Sequence, residues 1–465
     1  MSKKFALKIL CVVMAFAILV GLTACGSKPA SEDSSKAAEP EKAAEEPKSE
    51  AKAEETKKAE PVTLRFLSNL PDRTANQGKL EQMLMDNYMK ENPNVKIEVE
   101  ALQDDMYKQK FKAYSASNNL PDLYYIWGIT SLFRPVVDGG YLIELNPKDY
   151  ESYGFLPNST DGFMKDGKLY GLPKNTDMFV LYYNKKMFDD NGIKVPATFA
   201  ELIEAIKAFR AKGITPCAVN GKDRWLVADM LQELTLKASG DKQVIFDAVD
   251  RKVKFAENPA IIKGAEMMKE LMDNKFYQDS FSAADYGAAN NLFAQGKAAM
   301  YYMGSWEMGM ATNDKLPEEF RNNLHAIAFP PMEGTNAKAT DLFAFNGSGY
   351  GVSSTTKQKD EAIKFLNYIF LPDNWAKNAW QMGVCFPAQK FDKYMTGNES
   401  GLQKELVGLL GNATSLAGVP WIDYTDNSEF KEATQDLSQR FALKMIGVDE
   451  YLKELDKAAD KAAGK

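Results

Sequence analysis

The stretch Gln295–Trp306, QGKAAMYYMGSW, joins a glycine-lysine pair to an alternating apolar run and a terminal tryptophan. A phosphate loop needs GxxxxGK followed by serine or threonine, so that backbone N–H groups cradle the phosphates and the lysine reaches them. Here Ala298 follows Gly296-Lys297, and Asn291 stands where the earlier glycine is required, so that reading fails. Catalysis by a Ser-His-Asp or Cys-His set would have to use His325, the single histidine. His325 sits in the apolar run HAIAF, which reads as a structural strand position. Two of the many carboxylates could form a glycosidase pair, but no local motif supports one. What remains is a buried strand, Gln295 to Met303, with Lys297 as a solvated charge at its entry. Gly304 then lets the backbone turn so that Trp306 faces a cleft, while Glu307 points away.

Something must hold that strand. At 465 residues, 45% hydrophobic and 11% aromatic, the chain can bury a large core in two lobes or in two to three domains. The formal net charge of −7 argues against a nucleic-acid binder. The first 24 residues read as a signal peptide: Lys3, Lys4 and Lys8 precede an apolar run from Ile9 to Val20, short for a membrane span. Leu22-Thr23-Ala24-Cys25 resembles a bacterial lipobox, in which Cys25 is lipidated. Residues 25–60 then form a tether, because Gly26 to Glu60 has no aromatic and no valine, isoleucine or leucine with which to build a core. Cys217 and Cys385 are the only cysteines beyond it, as free thiols or one disulfide.

From Pro61 the pattern alternates between periods of two and 3.6. Val62, Leu64 and Phe66 predict a strand, as do Val95, Ile97 and Val99. Leu80, Met83, Leu84 and Tyr88 predict a helix stopped by Pro93. Thr198 and Glu201 fit a capping box at the head of a helix that Gly213 ends. Phe179–Tyr183 and Ala298–Met303 read as buried strands, and Glu361–Phe370 as a helix ended by Pro372. Strands interleaved with helices predict an α/β architecture with mostly parallel sheets.

Two long segments, FAQGKAAMYYMGSW and DGKLYGLPKNTDMFVLYYNKKMFDDNGIKVPATFAELIEAIKAF, carry YG-x-P, YN and P-x-T elements in order. With ENPNVKIEVE, LPDLYYIW and GVCFPAQK, they make the chain from Val62 to about Ala459 resemble family 1 of the extracellular solute-binding proteins, the sugar receptors of ABC importers. The resemblance implies a two-lobed type II binding-protein fold with discontinuous lobes and a hinge: residues 61–175 plus about 348–395, and 176–347 plus about 396–465. It implies a monomer on the outer face of the cytoplasmic membrane that binds a carbohydrate, needs no cofactor or metal, and delivers its ligand to permease subunits.

Sugar rings present C–H faces that pack on aromatic rings, and hydroxyls that need hydrogen-bond partners. In the resembled family the tryptophan after the GKAAM strand commonly stacks on ligand, which points to Trp306. Trp127, Trp225 and Trp421 occupy similar positions, whereas Trp375 and Trp380 lie on an expected helix and read as packing. Asp72 and Arg73 follow the first strand, where α/β clefts bind ligands. Asp177 precedes Asn184 at a spacing where the family's maltose receptor carries a binding carboxylate. GSW replaces the GPW of some members and leaves the angle of Trp306 open. Two rival readings are a membrane-anchored glycoside-processing enzyme and a ferric-iron receptor. The second would use the pairs Tyr124-Tyr125, Tyr182-Tyr183 and Tyr301-Tyr302 as phenolate ligands, although neighbouring strand side chains face opposite ways.

Overall fold

A computed structural model describes residues 60–464. The signal segment, Cys25 and nearly all of the tether lie outside the described residues. The chain first forms β1 (Val62–Ser68), β2 (Val95–Ala101) and β3 (Leu123–Trp127). A short hairpin, β4 (Met164–Lys165) and β5 (Lys168–Leu169), precedes β6 (Leu172–Pro173). Leu64 and Phe66 point into a core shared with Leu80, Leu84 and Tyr88 of the helix Asn76–Glu91, so the two periods read from the sequence converge on one interior.

One residue after β6 the chain enters β7 (Asn175–Asn184), a ten-residue strand buried almost throughout. β8 (Thr215–Ala218), β9 (Ala298–Gly304), β10 (Leu324–Ile327) and β11 (Asp341–Asn346) follow. Across Gly347 comes β12 (Ser348–Val352), and later β13 (Phe386–Pro387) and β14 (Ser415–Ala417). One sheet runs β2-β1-β3-β12-β6. The other runs β14-β11-β7-β9-β8, with β10 and β13 also pairing with β7.

The sheets are mixed rather than mostly parallel. β1 lies parallel to β2 and β3, β8 to β9, and β11 to β14. β12 is antiparallel to β3 and β6, and β7 is antiparallel to β9, β10, β11 and β13. Parallel neighbours need a crossover of a dozen or more residues. β7 arrives directly from the first sheet and β12 directly from the second, so neither is delivered by such a crossover.

Each sheet has its own core. The smaller includes Leu64, Tyr350 and Trp375, and the larger Val180, Met300, Trp421 and Leu455. The chain passes between them at β6–β7 and at β11–β12. The third passage comes before residue 395: Val384 and Cys385 belong to the smaller core, while Trp380, Phe386 and Tyr394 already pack in the larger. Cys217 and Cys385 are buried in different cores, and both are free. His325 lies on β10, its Nδ1 2.6 Å from Glu405 Oε1 and its ring stacked on Tyr183.

Candidate ligand-binding site

A cavity of about 540 Å³ receives side chains from the elements of both sheets. Trp127, at the end of β3, reaches it from the first. Its ring meets Tyr107 and Tyr125 edge-on, and Lys108 Nζ sits 5.7 Å from the ring centre. From the second come Trp306, Trp225, Phe179 and Phe345.

Trp306 is placed by its strand. β9 is buried from end to end between β7 and β8. It gives way at Gly304 to the short helical turn Ser305–Ala311, which turns the indole to the cavity. Gly304 does not supply a turning conformation, for its φ is −79°. It supplies space: a Cβ there would collide with the Trp306 ring. Trp306 Nε1 donates to Tyr286 Oη at 2.8 Å, and the ring meets Phe179 edge-on at 5.6 Å and approaches Trp225 at 6.3 Å. Trp225 opens the helix Trp225–Ser239, and its Nε1 donates to Asp104 Oδ2 at 3.3 Å.

Asp177, near the start of β7, is almost wholly buried in the cavity wall. Its carboxylate accepts from Asn175 Nδ2 at 2.5 Å and Ser305 Oγ at 3.4 Å. Gly347 makes room for it, since a Cβ at that position would strike the carboxyl. Burial pushes the Asp177 carboxyl up to about 7, against the pull of nearby Lys174. Lys174 is itself buried, donates to Gln77 Oε1 at 2.5 Å, and is held below the ordinary lysine range by burial.

Five of the seven expected ligand contacts therefore line one cavity: Trp127, Trp225, Trp306, Asp177 and, at the exposed rim, Asp72. Two do not. Arg73 turns back to Glu81 and donates through Nε to Gln82 Oε1 at 3.1 Å. Glu81 is buried, also accepts from Ser68 and Tyr350, and takes Arg73 as its cation. Trp421 is fully buried behind the helix Trp225–Ser239, with Nε1 donating to the Ala228 carbonyl at 2.9 Å. Its apolar ring fills the larger core instead of the cavity.

Glu307 departs from expectation in the other direction. It faces the cavity wall, buried, and accepts from Tyr286 and from Asn290 Nδ2 at 2.8 Å. Burial raises its carboxyl above the usual range. Sequence reasoning also missed Asp229 and Lys174. Asp229 stands four residues after Trp225, so helical spacing alone puts both on one face.

At the rim, carboxylates are paired with lysines: Asp72 with Lys315 at 3.4 Å, Asp104 with Lys108 at 2.6 Å, and Asp423 with Lys431 at 2.5 Å. Some rim bonds run from one sheet's elements to the other's. Lys315 also donates to Thr74, Ser131 donates to Asp423, and Gln77 Nε2 donates to the Trp306 carbonyl at 3.3 Å. Aromatic platforms on both walls, with polar groups between them, suit a polyhydroxylated ring held without covalent chemistry. Among the described residues no group of three or more histidine, cysteine, aspartate or glutamate side chains is placed to hold a metal, and no helix is long and apolar enough to cross a membrane.

Known proteins share this architecture. A structure from work on xylan utilization by the thermophilic bacterium Caldanaerobius polysaccharolyticus is 29% identical, with a TM-score of 0.76 over 85% of this chain and 99% of that one. RafE in complex with raffinose aligns over 86% of this chain and 99% of its own, with a TM-score of 0.69 at 21% identity, a likeness of fold. The multiple sugar-binding protein of Streptococcus mutans is 25% identical over 323 residues, covering 67% of this chain and 72% of that protein. The model of the bacterial extracellular solute-binding protein family matches residues 71–374, more than half of the sequence. The chain belongs to that family.

Proposed function

We propose that this protein is the substrate-binding receptor of an ABC importer, taking a sugar or oligosaccharide between two lobes and presenting it to permease subunits. The observation that carries this reading is the convergence of Trp127 from one sheet with Trp225 and Trp306 from the other on a single cavity edged by carboxyl and amide groups. The sugar-binding relative in Streptococcus mutans and the raffinose complex of RafE support the ligand class.

The lobes are residues 61–175 plus a return beginning near 348, and 176–347 plus the C-terminal segment, with the last passage between about 376 and 395. Rotation at these passages closes the cleft, and the bonds that bridge the rim belong to the closed form. The protein binds without turning its ligand over. It acts as a monomer at the outer face of the cytoplasmic membrane, lipidated at Cys25 and held off the surface by residues 26–60. Labelling of cells with a radioactive fatty acid tests the anchor: label is expected on the wild type and absent from Cys25→Ala. Thermal shift of the soluble body against mono- and oligosaccharides, with chromatography of each mixture, tests the function. Saturable stabilisation with intact ligand is expected, and hydrolysed products would return the reading to a glycoside-processing enzyme.

A further inference from the structure

The helix Trp225–Ser239 buries five polar side chains, Asp229, Gln232, Glu233, Thr235 and Lys237, and three of them are answered within the protein. Gln232 accepts from the Trp421 backbone N–H at 2.8 Å and donates to the Val419 carbonyl at 3.2 Å. Glu233 accepts from Tyr302 at 3.1 Å, and Lys237 donates to the carbonyls of Ala339 and Asp341. Two positions break the pattern. Thr235 Oγ1 has no partner among the described residues but lies against Gly264, away from the cavity. Asp229 is 2% exposed, its Oδ1 has no hydrogen-bond partner among the described residues, and it lines the cavity one helical turn beyond Trp225.

A buried carboxyl oxygen left unpaired is destabilising, and proteins seldom keep one without a use. The nearest charges do not answer it, because Lys431 is engaged with Asp423. Resting on the sugar-receptor reading above, we propose that Asp229 is a specificity-determining residue that takes a hydrogen bond from a hydroxyl of the sugar whose ring packs on Trp225. The i, i+4 spacing gives ring and carboxyl one common face, so a pyranose lying on the indole brings its equatorial hydroxyls towards the carboxyl. Burial, and then the neighbouring Asp423, hold the Asp229 carboxyl well above the ordinary range, which favours a neutral hydroxyl partner. A site built to pair with a substrate hydroxyl discriminates strongly against an analogue that lacks it.

The test uses the soluble body with xylotriose, chitotriose, raffinose and maltotriose as probes. Titration calorimetry is run on wild type, Asp229→Ala and Asp229→Asn, with thermal melts of each without sugar. The expected result is a loss of tenfold or more in affinity for Asp229→Ala and a smaller loss for Asp229→Asn, which keeps one acceptor. Melting temperatures without sugar should be unchanged or higher. Monodeoxy versions of the best probe should include one that weakens binding to wild type but not to Asp229→Ala. Unchanged affinity in Asp229→Ala would overturn the inference and leave the sugar reading standing. A marked fall in melting temperature for both variants would make the carboxyl structural and overturn it. No binding of any probe by wild type would overturn this inference together with the sugar reading on which it rests.

Discussion

The start and the later turns of the helix Trp225–Ser239 are built on opposite terms. The later turns meet Trp421 and the strands of the larger core, and Gln232, Glu233 and Lys237 are tied there to named partners. The start carries Trp225, part exposed, and Asp229, whose Oδ1 has no hydrogen-bond partner among the described residues, and both line the cavity. The difference separates groups tied to partners inside the fold from groups that line the cavity. Two tryptophans from the same sequence-based shortlist fall on opposite sides of this line: Trp421 inside, Trp306 at the cavity.

Breaking the inner side should have the largest effect. Trp421→Ala removes a fully buried indole and is expected to cost about 3–5 kcal/mol of stability, read as a shift of the urea midpoint. A loss under about 1 kcal/mol would mean that the wall can do without its support. Asp177→Asn sharpens the comparison through pH. The folded carboxyl titrates near 7 and the unfolded one near its ordinary value, so folding loses stability as pH rises between about 4 and 7. The variant lacks that loss. It should match wild type at pH 4 and exceed it by roughly 2–4 kcal/mol above pH 7, measured by denaturant melts across the range. A constant difference at all pH values would show that burial does not set this group.

Trp306→Ala should leave the fold intact and lower sugar affinity tenfold or more, a cost on the order of 1–3 kcal/mol from lost ring packing. Calorimetry beside melts without sugar reads both, and a collapsed melting temperature would move Trp306 to the inner class. Lys315→Ala should have the smallest effect. The pair with Asp72 is exposed on both sides, so a change under about 0.5 kcal/mol, vanishing at high salt, is expected. A salt-independent loss of affinity would make this rim bond part of the binding machinery.

Most elements were legible in the sequence because burial imposes a period. Val62 to Phe66 alternates and the helix headed by Thr198 repeats as its surroundings require, while the strand before Trp306, buried throughout, shows as an unbroken apolar run. Thr198 does accept from the Glu201 backbone, but the Glu201 carboxylate reaches Ala197 and Lys194 instead of closing the box. Strand direction was not legible, since β7 and β12 owe theirs to links of one residue between sheets. Nor does an aromatic side chain announce its face: Trp421 and Trp306 are equally apolar, and the distant Ala228 carbonyl decides the first. Arg73 was lost to Glu81, eight positions on, one of whose other partners, Tyr350, lies 269 positions away. Asp229 was within reach, because its spacing from Trp225 was visible, and only the absence of a partner for its Oδ1 among the described residues was not.

β12 has a further consequence, for the order in which the molecule can be made. It lies between β3 and β6 in the first sheet, with Tyr350 opposite Tyr125. A chain growing from its N-terminus completes β1, β2 and β3 long before the strand that seals their edge exists. Until Val352 emerges, those strands expose an unpaired edge and a half-built apolar interior, a sticky state for any nascent protein. Closure then joins segments remote in sequence, which slows it. Fragments ending before residue 348 should accordingly aggregate or attract chaperones, even though they contain every residue of the first three strands.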